Sequence, residues 1–328
     1  MNRPTVMQRP NDPNIYLFTM GEWYGYNPNL QPLGSGAMGT VYIGFRCSTG
    51  ERIAVKRVKD VYANNYAIRE RAKQEASLAF RHQNLVEMIG YCECAPTTGP
   101  IFILSKFVSG ITLDEHVKRN LEGRPDRVEK ICHTIFPVLD ALDYVHSRGV
   151  IHRDLKPSNI MVEQGANVRL MDLGIARMNE GNKFSAFGFI GTPQYAAPEQ
   201  ILRGTEKGGQ INASTDVYEL GITFYELLTG HNPFDCETEA DTLKKQMTEK
   251  LPADSKIPHR VMQVIWKATE KEQSRRYQTA RQFKTALETA LQPEPSSMTQ
   301  FSDWLGKNIV LVGCVVGVIV ALLLMLFI

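Results

Sequence analysis

Residues 152–159 read His-Arg-Asp-Leu-Lys-Pro-Ser-Asn, and this stretch decides how the rest of the chain is interpreted. Thirteen residues after Asn159 comes Asp172-Leu173-Gly174, and Ala197-Pro198-Glu199 follows further on. The region between about 150 and 200 lacks a long apolar periodicity, so we expect it to be rich in loops. Three polar motifs in one order are far more specific than any of them alone, and they indicate a functional site.

A glycine-rich motif lies far upstream of these residues. Residues 34–39 read Gly-Ser-Gly-Ala-Met-Gly, and the Thr-Val-Tyr-Ile that follows is typical of a strand. Glycines let the backbone approach phosphates closely and present N–H donors to anions. A dinucleotide-binding loop would open a helix, so the sequence favours a hairpin that covers a nucleotide, with a tight turn as the alternative. Lys56, after the apolar Ala54 and Val55, is then a candidate phosphate ligand rather than an isolated surface lysine.

Together these motifs resemble those of the eukaryotic-type, or Hanks-type, serine/threonine protein kinases over roughly residues 30–291. The segments DLGIAR (172–177) and GTPQYAAPEQ (191–200) are similar to the bacterial branch of that family. The resemblance implies an α+β, bilobal protein kinase fold, with a small β-rich N-lobe that carries one helix and a larger helical C-lobe. It also implies ATP and Mg²⁺ as cofactors and protein serine and threonine residues as substrates.

The resemblance also implies roles for individual residues. Asp154 would accept the proton of the substrate hydroxyl, and Lys156 would neutralise the γ-phosphate, as in kinases directed at serine and threonine. Lys56 would pair with the α- and β-phosphates. Asn159 and Asp172 would hold Mg²⁺, a hard cation that prefers oxygen ligands.

Further positions are implied to bind the nucleotide. In the family the adenine ring lies between apolar side chains, which here are Val41, Ala54 and Met161. Lys106 and Val108 would offer backbone groups at the hinge between the lobes. The nucleotide-binding positions implied besides Lys56 are Leu33, Gly34, Ser35, Gly36, Ala37, Met38, Gly39, Val41, Ala54, Glu75, Lys106, Val108 and Met161.

The acidic residue that pairs with Lys56 in this family has more than one candidate. Counting back without a gap from the next family position reaches Lys73, whereas a two-residue deletion reaches Glu75. We prefer Glu75, because it shares a helical face with Ala72, and Glu70 is the second choice. A chain without this pairing would be a pseudokinase that binds nucleotide or partner proteins without catalysis.

Structural partners carry over from the resemblance as well. Glu199 should form a buried ion pair with Arg276, since breaking such a pair leaves an uncompensated charge. Asp216 should hold the backbone around His152 and Arg153.

Regulation is implied by the residues that flank the catalytic aspartate. Arg153 directly precedes it, as in kinases whose activation segment is ordered by phosphorylation. Between Gly174 and Gly191 the only hydroxyl residue is Ser185, which makes it the leading phosphosite, with a solvated loop serine as the alternative. Thr192 is expected to contact the catalytic aspartate and lysine instead.

Outside the motifs, the sequence divides into several parts. Residues 1–28 are rich in Pro, Asn and Tyr and predict an irregular N-terminal extension with room for one short strand. The kinase domain is expected over 29–291, with the N-lobe at about 29–108 and the C-lobe at about 109–291. Residues 292–308 predict a juxtamembrane linker containing Pro and Ser. The helices predicted from apolar periodicity lie at roughly 64–80, 128–149, 214–229, 238–250, 258–270 and 279–291.

Residues 309–328 predict a transmembrane helix. These twenty residues carry no charge and eighteen of them are apolar, which spans roughly 30 Å as a helix, the thickness of a bilayer core. Gly313 and Gly317 form a spacing that lets two such helices approach closely, so a homodimer is a further hypothesis. A kinase needs cytosolic ATP and the N-terminus has no signal-peptide pattern, so we expect a single-pass membrane protein with a cytosolic kinase domain.

Composition excludes other classes of protein. The 37 basic and 35 acidic side chains give a net charge of +2, which gives no support to nucleic-acid binding by bulk charge. Six cysteines with no CxxC pair argue against a disulfide scaffold or a zinc ribbon and favour reduced thiols.

Overall fold

The computed structural model describes residues 5–36, 39–63, 66, 69–70, 72–73, 80–94, 99–172, 192–202, 209–293 and 307–309. The chain divides into two compact units, Met1–Ala290 and Leu291–Ile328. The predicted membrane segment lies outside the described residues except for Ile309, and so does most of the linker before it. Within the residues that the structure describes, no helix has both the length and the apolar character that crossing a membrane requires.

The first unit begins with a sheet of eight antiparallel strands. These are β1 (Val6–Gln8), β2 (Ile15–Thr19), β3 (Glu22–Tyr26), β4 (Gly34–Ser35), β5 (Gly39–Arg46), β6 (Arg52–Val58), β7 (Met88–Glu93) and β8 (Ile101–Lys106). Their order in the sheet is β1-β2-β3-β5-β6-β8-β7, and β4 pairs with β5. The strand-rich N-lobe predicted from the sequence is confirmed.

The expectation of an irregular N-terminal extension is wrong. Strands β1, β2 and β3 belong to the same sheet as the glycine hairpin, because β3 pairs with β5 between Tyr26 and Gly44. The sheet curls until its first strands reach its last one: the Cys92 thiol donates to the Phe18 carbonyl (3.3 Å) and the Thr5 hydroxyl to the Glu93 carbonyl (2.5 Å).

The curled sheet encloses an apolar core. On β6 the side chains alternate, so that Ile53 and Val55 point into this core while Ala54 and Lys56 line the opposite face. The members of the core are Leu17, Tyr24, Tyr26, Ile53, Val55, Cys92, Phe102 and Leu104. Packing of this face therefore fixes which way Lys56 points.

The rest of the first unit is mainly helical. A short helix, α1 (Asp60–Ala63), lies in the N-lobe. The helices of the C-lobe are α2 (Leu113–His116, continued by a π-helical turn at Val117–Leu121), α3 (Arg127–His146), α4 (Pro198–Ile201), α5 (Ala213–Thr229), α6 (Glu239–Thr248), α7 (His259–Ala268) and α8 (Ala280–Leu291). A small sheet, ordered β11-β10-β9, is formed by β9 (Gly110–Thr112), β10 (Ile160–Glu163) and β11 (Val168–Leu170). The helices predicted after residue 127 are confirmed to within a few residues. Residues 66, 69, 70, 72 and 73 are also helical, and we call this the Arg69 helix.

Helix α5 is the central helix of the C-lobe, and almost all of its residues are buried. It begins one residue earlier than predicted. Asn212 is its N-cap, and its side chain accepts a hydrogen bond from the Ser214 N–H at 2.9 Å. Gly230 ends the helix with a positive φ of 85°, a conformation that glycine adopts at little cost.

Candidate active site

A cleft of about 650 Å³ lies between the N-lobe sheet and the C-lobe. It brings together residues that are distant in sequence. The predicted site residues that line it are Leu33, Gly34, Ser35, Gly36, Gly39, Val41, Ala54, Lys56, Lys106, Val108, Asp154, Lys156, Asn159, Met161 and Asp172. Three predicted positions, Ala37, Met38 and Glu75, lie outside the described residues, as does the predicted phosphosite Ser185.

The glycine motif forms a hairpin above the cleft. Strand β4 pairs with β5 through Gly34 and Val41, and the Gly36 N–H donates to the Gly39 carbonyl at 2.9 Å. A Cβ atom at Gly39 would lie 2.5 Å from the Arg57 carbonyl oxygen on β6, so a larger residue would push β5 away from β6. The hairpin predicted from the sequence is therefore present, and the helix of a dinucleotide-binding loop is not.

Asp154 lies on the C-lobe side of the cleft and is held by three side chains. The Thr192 hydroxyl donates to its Oδ1 at 2.9 Å, and the Asn159 amide donates to its Oδ2 at 2.9 Å. The Lys156 ammonium lies 3.3 Å from Oδ2 and also donates to the Thr192 hydroxyl at 3.0 Å. The predicted contact of Thr192 with this aspartate and lysine is confirmed, and the Asp154 carboxylate is fixed in one orientation.

Lys56 reaches across the cleft from the N-lobe. Its ammonium lies 3.0 Å from Oδ2 of Asp172. The Lys56 charge holds the pKa of the Asp172 carboxyl below its ordinary value, although burial acts in the opposite direction. The ion pair therefore joins the two lobes at the point where the sequence predicts phosphate and metal binding.

Two glutamates, Glu75 and Glu70, are the predicted candidates for pairing with Lys56. Glu75, the preferred residue, lies outside the described part of the chain. Glu70, the second choice, accepts a hydrogen bond from Lys73 on its own helix at 3.1 Å. The Arg69 helix is attached to β7 through the buried Arg69, which forms an ion pair with Glu93 at 2.5 Å.

The backbone that carries Asp154 is anchored to helix α5. Asp216 accepts hydrogen bonds from the N–H groups of His152 and Arg153, both at 2.8 Å, as predicted. His146 adds a contact that the sequence did not predict, with its Nε2 2.7 Å from Oδ2 of Asp216. Burial raises the pKa of Asp216, but the contacts with His146, His152 and the Arg153 N–H together outweigh it, and the pKa lies below its ordinary value.

The predicted ion pair between Glu199 and Arg276 is also present. The guanidinium binds the carboxylate through two contacts, at 2.7 and 2.9 Å, and both side chains are buried. This pair joins helix α4 to the turn before α8, and so fixes the end of the segment that carries Thr192.

The cleft has further lining residues that sequence reasoning missed. They are Val86, Met88, Ile103, Phe107, Gly110, Ile111, Thr112, Glu115, Ser158, Leu170 and Met171. Alternation along β8 could have found Ile103, because it lies two residues before Ser105 and faces the same side. Phe107, Ser158 and Met171 directly adjoin predicted site residues. The remaining ones come to the cleft from separate elements, and no local signal marks them.

Comparison with known proteins agrees with this geometry. The chain is 29% identical over 280 residues to the serine/threonine-protein kinase PrkC of Bacillus subtilis, covering 83% of this chain and 42% of that protein. It is 33% identical over 275 residues to the serine/threonine-protein kinase Pkn1 of Myxococcus xanthus, covering 80% of this chain and 38% of that protein. The chain thus spans about two fifths of the length of these two relatives.

A solved structure has the same fold. The crystal structure of the Mycobacterium tuberculosis PknI kinase domain matches with a TM-score of 0.62 and 24% identity, covering 82% of this chain and 96% of that domain. A model of the protein kinase domain matches residues 28–297. Because that match covers most of its length, the chain belongs to the protein kinase domain family.

Proposed function

We propose that this protein transfers the γ-phosphoryl group of ATP to serine and threonine hydroxyls of protein substrates. The observation that carries the proposal is that two clusters of charged and polar side chains meet in one cleft. These are the Lys56–Asp172 ion pair, and Asp154 with its partners Lys156, Thr192 and Asn159. Phosphoryl transfer needs positioning and charge neutralisation more than covalent chemistry, and this arrangement supplies both.

Asp154 acts as the acceptor of the hydroxyl proton. Its carboxylate is held by hydrogen bonds from Thr192 and Asn159, so it can meet an incoming hydroxyl without reorientation. The Lys156 ammonium lies beside the same carboxylate. Its positive charge there stabilises the negative charge on the phosphoryl group during transfer.

The residues present fit a magnesium ion. Asp172 offers a carboxylate, and the Asn159 amide nitrogen is already used as a donor to Asp154, which leaves its carbonyl oxygen as the metal ligand. Among the described residues, no three His, Cys, Asp or Glu side chains come together as a metal site. Two protein oxygens suit Mg²⁺, which commonly keeps waters and substrate phosphates as its other ligands. When bound, the ion neutralises charge on the nucleotide phosphates.

The nucleotide base is accommodated by the apolar upper part of the cleft. Val41 and Ala54 lie on neighbouring strands above it, and Met161 lies on β10 in the other lobe. The Lys106 N–H donates to the Glu87 carbonyl at 2.9 Å, so we assign the carbonyl of Lys106 to the adenine amino group.

Transfer of labelled phosphate tests the activity. The purified full-length protein with Mg-ATP should label itself and a basic protein substrate on serine or threonine. Asp154→Asn and Lys56→Met should each lower the rate by at least about 100-fold, because each removes charge from the transition-state site. Asp143→Asn, which changes a carboxylate on α3 that pairs with the exposed Arg281, is the matched control and should keep the wild-type rate.

Three outcomes would count against the proposal. An Asp154→Asn protein with full activity would exclude the assigned base, and label found only on tyrosine would exclude the substrate class. A wild-type protein that binds ATP but transfers no phosphate would favour the alternative of a pseudokinase.

The proposal extends to location. We infer that residues 309–328 tether the kinase to a membrane with the first unit on the cytosolic side, where ATP is available. The support is that this segment carries no charge and is apolar at eighteen of its twenty positions. The spacing of Gly313 and Gly317 further suggests pairing of two copies, which would raise the local kinase concentration and favour autophosphorylation.

A further inference from the structure

Three side chains of helix α5 hold the catalytic loop, residues 152–159. Asp216, Glu219 and Thr223 are three and four residues apart, so they lie along one face of the helix. Asp216 accepts from two N–H groups at the start of the loop. Glu219 and Thr223 both act on Leu155, the residue between Asp154 and Lys156: the carboxylate accepts its N–H at 2.8 Å and the Thr223 hydroxyl donates to its carbonyl at 2.9 Å.

Glu219 has a second partner, which connects the catalytic loop to helix α4. Its Oε2 is the acceptor for the Leu155 N–H, and its Oε1 accepts from the Gln200 amide at 2.7 Å. The Gln200 carbonyl oxygen in turn accepts from the Ala197 N–H at 2.7 Å. The Leu155 N–H and the Gln200 amide therefore both donate to Glu219, and the Ala197 N–H donates to Gln200. Glu219 acts only as an acceptor in this series.

This arrangement is costly for the fold. Glu219 is 2% exposed and lies one helical turn from another buried carboxylate, Asp216. Burial, together with the negative charges of Asp216 and Asp154, raises the pKa of the Glu219 carboxyl well above its ordinary value. The folded protein thus holds this proton more tightly than the unfolded chain, so the ionised carboxylate costs stability as pH rises above the ordinary glutamate pKa. Residues that cost stability in this way are expected where function requires them.

We propose that Glu219 is a positioning residue, which fixes Asp154 and Lys156 by holding the backbone between them and couples them to Gln200 on helix α4. The proposal rests on the proposed kinase activity. It predicts that the direction of the hydrogen bonds around Glu219, rather than the space its side chain fills, determines the catalytic rate.

Glu219→Gln tests this with almost no change of shape. An amide offers one acceptor and one donor, so an N–H must now face either the Leu155 N–H or the Gln200 amide. We expect kcat to fall roughly 10- to 100-fold, because small misplacements of catalytic groups have effects of that size, while KM for ATP changes less than about twofold. The thermal unfolding midpoint should fall by no more than a few degrees, because one buried N–H group then faces another, and the protein should stay folded at the assay temperature. Thr229→Val, a buried change at the far end of α5, is the control and should lower the unfolding midpoint without lowering kcat.

The exchange of both residues provides the rescue. In Glu219→Gln/Gln200→Glu, the carbonyl of the new amide on α5 can accept from Leu155, and its NH₂ group can donate to the new carboxylate on α4, which still accepts from Ala197. We expect this double variant to recover kcat to within about fivefold of wild type. Gln200→Glu alone places two carboxylates where the present contact is 2.7 Å and should be the least active of the three.

The outcomes separate this proposal from the proposed function. An active wild type with an equally active Glu219→Gln protein would overturn the positioning role alone, and so would a double variant no faster than Glu219→Gln. A wild type without kinase activity would overturn both proposals.

Discussion

The proposed catalytic residues are held in place by side chains from distant parts of the chain. Asp154, Asn159 and Asp172 occur in compact motifs, so their amino-acid pattern is sufficient to predict them. Their supports are spread along the chain: Glu219 contacts Leu155 from 64 residues away, and His146 contacts Asp216 from 70 residues away. Such contacts depend on tertiary packing, which no local pattern encodes.

Glu219 had one signal that sequence reasoning could have used. It is an acidic residue within Val-Tyr-Glu-Leu-Gly-Ile-Thr-Phe, residues 217–224, an otherwise largely apolar stretch of a buried helix. Charged side chains are almost never fully buried without partners. An unexplained charge in such a position is therefore a reason to look for a hydrogen-bonding role.

The buried Glu199–Arg276 pair gives a prediction at the scale of single residues. Arg276→Met should lower the free energy of unfolding by about 3–5 kcal/mol, because it leaves the Glu199 carboxylate buried without its counter-ion. Denaturant unfolding measures the change. Arg281→Met is the matched control: its ion pair with Asp143 is as short, 2.7 Å, but its side chain is 79% exposed. It should cost less than about 1 kcal/mol. Equal losses in the two variants would contradict the prediction.

At the scale of elements, the helices were easier to predict than the N-terminal strands. Helices α7 and α8 have a regular apolar periodicity, which gave their position to within a few residues. The prolines and asparagines in residues 1–28 favour turns. This preference masks the strand signal of the short runs between them, in which apolar and polar residues alternate. Strands β1 to β3 are stable because they close the curled sheet, and strand formation depends strongly on such packing.

The closing strands should contribute to the stability of the whole N-lobe. Leu17 on β2 is 0% exposed and packs in the core with residues of β6 and β8. Leu17→Ala should lower the free energy of unfolding by about 2–5 kcal/mol, the usual range for a leucine truncated in a packed core. Met20→Ala, at the adjacent turn where the side chain is 82% exposed, should change it by less than about 0.5 kcal/mol.

Urea unfolding followed by tryptophan fluorescence measures both variants, since Trp23 lies on the neighbouring strand β3. A Leu17→Ala protein as stable as wild type would mean that strands β1 to β3 contribute little to the stability of the N-lobe.

At the scale of the whole molecule, the two units have different physical characters. The first unit has a charged cleft and an apolar core, whereas residues 309–328 carry no charge. If these residues insert as a helix, full-length protein should sediment with membranes and resist extraction by carbonate. Val316→Asp/Val320→Asp should release it, because each central charge costs about 2.5–3.5 kcal/mol on insertion.

Pairing of two copies is a separate question, which the same membranes can answer. Gly313→Ile/Gly317→Ile keeps the segment apolar but adds bulk where two backbones would meet. We expect this variant to sediment like wild type, while its yield of crosslinked dimer falls at least about threefold. Its autophosphorylation should slow by a similar factor when measured at the same protein density, because one copy would meet another less often. Phosphorylation of an added protein substrate should be unchanged, since the cleft lies in the first unit. An unchanged dimer yield would exclude the glycine pair as the contact and leave the anchor untouched, whereas loss of sedimentation would show that the glycines serve insertion instead.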